Sequence, residues 1–310
     1  VLERAAANNS EWRKVKRICE TALKHLADIP HSHEDEFELY LNLGTVRSRL
    51  AEYSSSLEAL YKAKMIGYKY NVDPAGIAFV SFMMGADFVL LKNIDQALSE
   101  TLKVEEYYGK YGFNRPPMEE YTYVGMLMQL AYCYLYKNQL DKAGEIIEKK
   151  IMEYTTVMSD ELIQLDYYHL KGEYYMEIKE FANARKAFQE CISISNHVNF
   201  PISAFEARIH LAVMDLIDSD MNSVVKILKA NMKNARRNKL SQVFCESALL
   251  LSKCYSLQNL PDKASAVEGH IKPVLYKLDI VWLYEKNREF DVLYRQLKDA
   301  AEKGKIVDGS

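Results

Sequence analysis

The stretch "LAYCYLYKNQLDKAGEII", residues 130–147, decides how this chain folds. In it, Ala131 is followed by Tyr134, by a polar break at residues 137–138, and then by Ala143. The stretch could form one amphipathic helix, or two helices that fold back on each other at the break. The two readings give different folds, and the rest of the chain distinguishes them.

The same spacing recurs along the chain, most clearly in "GADFVLLKNIDQALSET" (85–101) and "GEYYMEIKEFANARKAF" (172–188). A weaker copy begins at Gly44, degraded copies begin at Ala212 and Ser252, and a half copy begins at Trp12. The small residues in the second half of each copy recur after 41, 46, 41, 40 and 40 residues: Ser56, Ala97, Ala143, Ala184, Val224 and Ala264. Steps this regular predict a repeat protein.

Helix packing explains the spacing within one copy. A small residue on the first helix lets the second helix approach closely, and a small residue on the second helix is its counterpart. The breaks "KNQLD", "KNID" and "IKEF" are short and polar, as turns between antiparallel helices are. We therefore predict six helix hairpins, and the first stretch becomes two helices that turn near residues 137–140.

These segments resemble the tetratricopeptide repeat (TPR) family, and the resemblance extends over residues 10–275. It implies an all-α fold, a right-handed superhelical solenoid of TPR-like hairpins in a domain spanning residues 1–275. The period is near 40 residues instead of the usual 34, which adds about one turn to each helix. Long-period repeats of this kind are typical of sensor domains in bacterial signalling regulators.

Residues 276–310 differ from the repeats. Leu283, Phe290 and Leu297 are spaced by seven, which indicates a helix with a short apolar seam. We expect a C-terminal capping or linker helix, which either covers the last hairpin or leads into a further domain. The sequence begins with Val1, and we expect it to be a fragment of a longer protein.

Composition excludes several classes of protein. The chain has 49% hydrophobic and 27% charged residues and a net charge of −3, so it presents no strongly basic surface for nucleic acid or membrane. Five cysteines without a C-x-x-C pair indicate reduced, buried thiols in a cytoplasmic protein. The apolar run 75–91 is too short to span a bilayer and contains Asp87.

Candidate catalytic motifs are weak. We interpret "HSHEDE" (31–36) as an acidic helix start after Pro30, because His31 and His33 lack the spacing of metal ligands on a helix. We expect no enzyme activity, metal or cofactor. The basic run 226–240 is either a solvated helix face or a surface for an anionic partner, and its charges are Lys226, Lys229, Lys233, Arg236, Arg237 and Lys239.

The first helices of the hairpins would line a concave groove. Their residues outside the packing positions are expected to face it: Arg49, Phe82, Val89, Met128, Tyr132, Tyr136, His169, Glu173, Arg208, Val213 and Lys253. Aromatic rings beside a few charges suit a peptide. The alternative, that Tyr132 and Tyr136 fill core, stays open at this point.

The leading hypothesis is a non-enzymatic regulatory binding domain that holds a peptide or protein segment in this groove. The repeats resemble the sensor regions of Gram-positive quorum-sensing regulators, and also those of diguanylate cyclases and histidine kinases. The alternative is a passive scaffold for protein assembly. We expect no membrane association and no direct nucleic-acid binding by this chain, and a homodimer is compatible with the sequence.

Overall fold

Thirteen α-helices, and no β-strand, form the described part of the chain. The computed structural model describes residues 9–26, 30–50, 52–113, 116–198, 201–218, 221–237 and 241–278. The helices are α1 (Asn9–His25), α2 (His33–Arg49), α3 (Tyr53–Tyr70), α4 (Pro74–Leu90), α5 (Ile94–Tyr111), α6 (Glu120–Tyr136), α7 (Leu140–Glu145), α8 (Glu161–Glu177), α9 (Phe181–His197), α10 (Pro201–Asp218), α11 (Met221–Arg237), α12 (Ser241–Leu257) and α13 (Pro261–Leu278).

The predicted all-α fold of six helix hairpins is confirmed. The pairs are α2–α3, α4–α5, α6–α7, α8–α9, α10–α11 and α12–α13. The stretch 130–147 forms two helices, because α6 ends at Tyr136 and α7 begins at Leu140. After α7 the helical path continues through a π-helical turn, Ile146–Lys150, and two 3₁₀ turns, Ile151–Glu153 and Val157–Ser159.

The hairpin turns that lie within the described residues share one backbone hydrogen bond. In each, the residue before the second helix donates its N–H to the carbonyl five residues earlier, which is the Schellman pattern of a helix C-terminus. The residue just before this donor has a left-handed backbone conformation in the four turns described throughout: Lys92, Asn138, Lys179 and Asn259. The bonds run from Asn93 to Phe88, Gln139 to Tyr134, Glu180 to Tyr175 and Leu260 to Tyr255, over 2.8–2.9 Å.

Small residues bring the two helices of a hairpin together. A Cβ atom added to Gly172 on α8 would lie 2.6 Å from the ring of Phe188 on α9. A Cβ added to Gly44 on α2 would likewise lie 2.6 Å from Leu60 on α3. Both Phe188 and Leu60 are fully buried, so neither can move aside cheaply. These contacts confirm the packing role that the repeat spacing predicts for the first small residue.

The one long step of the repeat, 46 residues, comes from the connection between α5 and α6. This connection spans residues 112–119, whereas residues 71–73 suffice between α3 and α4. Its Met118 is fully buried, and its Phe113 packs against Tyr108 and Tyr123 with ring centroids 5.4 and 4.9 Å apart. The extra residues therefore fill an aromatic cluster and leave the helices unchanged.

The chain divides into two units, residues 1–170 and 171–310. In the first unit, an apolar cluster built around Phe37, Leu60 and Met84 forms the core of α2 to α5. In the second unit, a cluster around Val213, Leu228 and Leu250 does so for α10 to α13. Residues 279–310, with most of the predicted C-terminal helix, lie outside the described residues, so the boundary at residue 275 stays a prediction.

The "HSHEDE" segment is a helix start, as predicted. The Ser32 hydroxyl accepts a hydrogen bond from the Asp35 N–H over 3.1 Å, and the Asp35 carboxylate accepts one from the Ser32 N–H over 2.9 Å. This reciprocal pair is a capping box. The same bond from the Ser32 backbone lowers the pKa of Asp35. The His33 ring stacks on Tyr70, with centroids 3.3 Å apart.

All five cysteines are buried with free thiols, as the sequence predicts. Burial raises the pKa of Cys133, Cys245 and Cys254 to about 12 in each case. Burial also raises the pKa of Cys19. Within the described ranges, no helix combines the length and the apolar character that crossing a membrane requires.

Two glycine substitutions should change stability in opposite directions. Gly172→Ala should lower the free energy of unfolding by about 1–3 kcal/mol, because its Cβ overlaps the buried Phe188 ring. Gly109→Ala should raise it by about 0.5–1 kcal/mol, because alanine favours helix and a Cβ on this residue of α5 meets no atom within 4 Å. Urea denaturation followed by circular dichroism measures both changes, and a stabilising Gly172→Ala would contradict the packing described here.

Candidate functional site

The predicted groove residues lie on the first helices of the hairpins. In the first unit, Tyr132, Tyr136 and His169 are half-buried, as are Phe82 and Val89. Arg49, at the end of α2, is exposed. Met128 is only 6% exposed, which leaves this side chain little surface for a ligand.

Polar contacts join neighbouring first helices of the first unit. The Ser48 hydroxyl on α2 donates to the Asp87 carboxylate on α4 over 2.5 Å. The Gln129 side-chain amide on α6 donates to the carbonyl of Phe82 on α4 over 3.2 Å. These side chains hold the first helices together through specific hydrogen bonds as well as through apolar packing.

The face formed by Tyr132, Tyr136 and His169, termed the tyrosine face, is the best-defined part of the predicted site. The Tyr132 hydroxyl on α6 hydrogen-bonds with Nδ1 of His169 on α8 over 3.2 Å. One helical turn further along α6, the ammonium group of Lys92 lies 3.8 Å from the centre of the Tyr136 ring and contacts its hydroxyl group. Both tyrosines are half-buried and have a hydroxyl group held by a polar neighbour, which keeps them as candidates for the predicted groove.

The backbone of the hairpin turn explains how Lys92 reaches Tyr136. Lys92 is the left-handed residue of the α4–α5 turn, with φ of 57°. Asn138 occupies the equivalent position in the α6–α7 turn, where the side chain is too short for such a contact. The lysine therefore adds a positive charge and a cation–π contact to the tyrosine face from the turn of the preceding hairpin.

Asp87 on α4 is a fully buried carboxylic acid. Burial raises its pKa from 3.8 to about 6, and hydrogen bonds from Ser48 and Ser56, with the charge of Arg49, oppose the rise. A carboxyl group with such a pKa changes charge in the mildly acidic range. From the sequence pattern, Asp87 has no predicted role beyond interrupting an apolar run.

In the second unit, Glu173 pairs with a residue that the sequence analysis did not select. Its carboxylate lies 3.5 Å from Nε2 of His210 on α10. The His210 ring is buried and stacks nearly parallel on Phe188, with centroids 4.7 Å apart and an interplanar angle of 4°. Glu173 and His210 thus form a polar contact between α8 and α10.

The remaining predicted residues of the second unit have different environments. Arg208 is half-buried, its guanidinium lies 5.5 Å from the ring of Phe205, and burial lowers its pKa. Lys253 on α12 is half-buried. Val213 is fully buried in the apolar cluster of α10 to α13, so the expectation that it faces a groove is wrong.

The basic run of the second unit lies along α11. The side chains of Lys226, Lys229, Lys233, Arg236 and Arg237 are exposed. Lys239 lies outside the described residues. The ammonium of Lys229 stands 5.6 Å from the ring of Tyr255 on α12. The exposed charges fit the expectation of a solvated face, and they also leave the positive surface open to an anionic partner.

Comparison with known proteins defines the class of the fold. Residues 165–197, which cover the hairpin α8–α9, match the tetratricopeptide repeat family. The other hairpins repeat the same arrangement, so the fold is of the TPR type, as the resemblance implied. No curated protein sequence matches the chain significantly.

Two solved structures share this fold. One is the Rap conjugation gene regulator of the plasmid pLS20 in complex with the Phr* peptide, with a TM-score of 0.63 and 13% identity over 86% of this chain and 71% of that chain. The other is a Rap protein complexed with competence and sporulation factor, with a TM-score of 0.60 and 13% identity over 97% of this chain and 98% of that chain. At this identity the similarity is one of fold.

The buried acid of α4 should make stability depend on pH. Folding raises the pKa of Asp87 to about 6, so the folded state holds this proton more tightly than the unfolded state. Its contribution to stability is therefore fully present below the unfolded pKa and is lost as the pH rises through about 6. At pH 8 the buried charge should destabilise the fold by about 2–3 kcal/mol relative to pH 4.

Asp87→Asn isolates this contribution, because the other groups titrate equally in both proteins. The difference in unfolding free energy between parent and variant, measured in urea at several pH values, should move in favour of the variant as the pH rises from 4 to 8. Parallel curves for the two proteins would show that Asp87 ionises normally despite its burial.

Proposed function

We propose that this chain is a non-enzymatic regulatory binding domain that holds a peptide or extended protein segment along the first helices of its hairpins. The observation that carries the proposal is the tyrosine face. Its aromatic rings are half-buried, and its tyrosine hydroxyl groups contact His169 and Lys92. The tyrosines lie on a first helix of a hairpin, and in TPR-type folds the first helices together form a continuous surface.

A tyrosine face suits a peptide for physical reasons. Tyrosine rings supply rigid apolar contact at a small cost in conformational entropy, and their hydroxyl groups can hydrogen-bond an extended backbone. Aromatic and arginine side chains also dominate measured binding energies where they are partly enclosed. Because Tyr132 and Tyr136 lie one helical turn apart, both rings present the same side of α6.

The second unit has candidate groups of its own for binding a charged group of a ligand. Arg208 is cationic and half-buried, and Lys253 is half-buried. A guanidinium group recognises a carboxylate through two parallel hydrogen bonds, whereas an ammonium group acts as a point charge. We therefore assign recognition of a carboxylate in the ligand to Arg208, with Arg49 as an exposed cation in the first unit.

The structural neighbours support a peptide ligand. Both are named as complexes, one with the Phr* peptide and the other with competence and sporulation factor, and one is named a gene regulator. A shared fold at 13% identity does not by itself indicate that this chain binds the same ligand. Together with the tyrosine face, it favours a peptide over a folded partner or a small metabolite.

A regulatory role requires that the ligand bind two states of the protein unequally. The contact Tyr132–His169 joins two neighbouring first helices through half-buried groups, so a ligand that competes for these groups changes how the two hairpins are held together. We propose that occupancy is passed in this way to the rest of a larger bacterial signalling protein. In a passive scaffold, by contrast, ligand binding would leave the contacts between the hairpins unchanged.

Binding should depend on a few side chains. Tyr136→Ala and Arg208→Ala should each weaken peptide binding by about 1–2 kcal/mol, because each removes a partly enclosed anchor. The ligand is a peptide selected from a random library against the intact protein, and calorimetric titration measures its affinity. Neither variant should lower the melting temperature appreciably, since neither side chain is fully buried.

Tyr68→Ala is the matched control. Tyr68 lies on the second helix α3 and is 63% exposed, so its removal should leave peptide affinity unchanged. The proposal fails if this variant loses affinity while Tyr136→Ala retains it. It also fails if selected ligands bind the exposed lysines and arginines of α11 and are released at high salt, which is the behaviour of an electrostatic surface.

A further inference from the structure

Every charged residue of α11 is positive, and all five are exposed: Lys226, Lys229, Lys233, Arg236 and Arg237. Successive members are three or four residues apart, apart from the last two, so their side chains lie on one side of the helix. At the rise of an α-helix they form a row about 16 Å long, termed here the cationic stripe. The chain as a whole has a net charge of −3, so the stripe is a local concentration of the opposite sign.

The usual reasons for surface charge explain only part of the cationic stripe. The helix dipole favours cations in the last turn, which accounts for Arg236 and Arg237 but not for the three lysines before them. A solvated helix face normally carries charges of both signs. Each of the other second helices has at least one acidic residue: Glu58 on α3, Asp95 on α5, Asp141 on α7, Glu190 on α9 and Asp262 on α13.

The cations of the stripe repel one another. Lys229 and Lys233 are four residues apart on the helix, as are Lys233 and Arg237, and like charges at this spacing destabilise a helix. Among the residues that the structure describes, none of the five cations forms an ion pair with an acidic side chain. An anionic partner would therefore relieve a repulsion that the folded chain leaves uncompensated.

Buried contacts fix which side of α11 carries the stripe. Val224, Leu228 and Ala235, on the opposite side of the helix, are fully buried in apolar clusters. Between them, the buried Asn231 amide donates to the carbonyl of Phe205 on α10 over 3.3 Å and to the hydroxyl of Ser247 on α12 over 3.0 Å. Because these bonds prevent rotation of α11, the stripe is held in place before any partner binds.

An apolar flank accompanies the stripe. Ile227 is 40% exposed, and Ala230, three residues further on, is also exposed. Positive charge continues from α11 to α13, because the ammonium groups of Lys229 and Lys263 lie 5.6 and 5.8 Å from the centre of the same Tyr255 ring. The surface thus combines a row of cations with exposed apolar side chains.

This combination distinguishes between the possible anionic partners. A nucleic-acid backbone offers phosphates but no apolar surface to cover Ile227. A helix binds in the surface of an anionic membrane through its apolar face, and that face of α11 is buried in the fold. A protein helix with an acidic row and an apolar flank offers both complements at once.

We propose that the cationic stripe binds an acidic amphipathic helix of a partner protein, whose carboxylates pair with the lysines and arginines and whose apolar side chains cover Ile227 and Ala230. Two α-helices have the same pitch, so carboxylates spaced by three or four residues match the spacing of the cations. The stripe shares no residue with the tyrosine face. The proposal therefore stands whether or not a peptide binds the first helices.

The test uses a synthetic helical peptide of about 15 residues, with glutamates along one side and leucines beside them, and an isomer with the glutamates spread around the helix. Fluorescence anisotropy measures binding of each to the full chain. The patterned peptide should bind about tenfold more tightly than its isomer, and its affinity should fall as salt is added. Equal affinities would reduce the observation to general charge attraction and overturn the proposal, as would no binding at millimolar peptide.

The other classes of anion are tested in the same assay. Duplex DNA and vesicles that contain phosphatidylserine should each bind more weakly than the patterned peptide, because neither complements the apolar flank. Tighter binding of either one would replace the protein partner with nucleic acid or membrane and overturn the proposal.

Variants locate the binding. Lys233→Glu should weaken the patterned peptide about tenfold or more, because it reverses the central charge of the stripe. It should not lower the melting temperature, since it replaces repulsion from Lys229 and Arg237 with attraction. Ile227→Ser should weaken the peptide roughly two- to fivefold through lost apolar contact. Full affinity in either variant would contradict the proposed mode of binding.

Lys110→Glu is the matched control, because Lys110 is an exposed lysine of another second helix, α5, and the substitution changes the net charge equally. It should leave affinity for the patterned peptide unchanged, and a loss equal to that of Lys233→Glu would overturn the site. Tyr136→Ala should likewise leave this affinity unchanged. Failure of the tyrosine face to bind its own peptide is therefore distinguishable from failure of the stripe.

Discussion

One backbone hydrogen bond sets the geometry on which the rest of the structure depends. In the hairpin turns that the structure describes, it joins the N–H of the residue before the second helix to a carbonyl five residues back, as from Gln139 to Tyr134. The carbonyl of Gln139 then accepts from Ala143, the small residue of the second helix. A single turn residue thus fixes where the first helix stops and where the small residue of the second helix falls. A shift by one residue would direct that small residue away from its neighbour.

Two kinds of contact hold the helices together. Inside a hairpin, Gly172 lies against Phe188 and leaves no room for even one methyl group. Between hairpins, apolar clusters continue from one hairpin to the next, as across α2 to α5, and hydrogen bonds such as Tyr132–His169 add to them. If a ligand binds along the first helices, as we propose, these hydrogen bonds are the contacts that it can replace with its own, because their groups are only partly buried.

Spacing alone sufficed to predict the hairpins, their turns and the buried cysteines, because helix periodicity and close approach act over a few residues. The residues that form the candidate site could be predicted less well than the hairpins. His210 has no local signal, and only the fold brings it to Glu173 and Phe188. Val213 was expected to face outward, but the degraded spacing of its repeat hides its packing role. The contact of Lys92 with Tyr136 depends on the left-handed turn backbone, which lysine rarely adopts and sequence rarely reveals.

The burial of every native thiol makes this chain suited to site-specific labelling. A thiol with a pKa of about 12, as in Cys133, Cys245 and Cys254, holds almost no thiolate at neutral pH, and reagents cannot reach it. One cysteine introduced at an exposed position would therefore outcompete all five native ones for a maleimide dye. Pairs of dyes on successive helix hairpins could then follow distances between repeats by energy transfer, with no native cysteine removed.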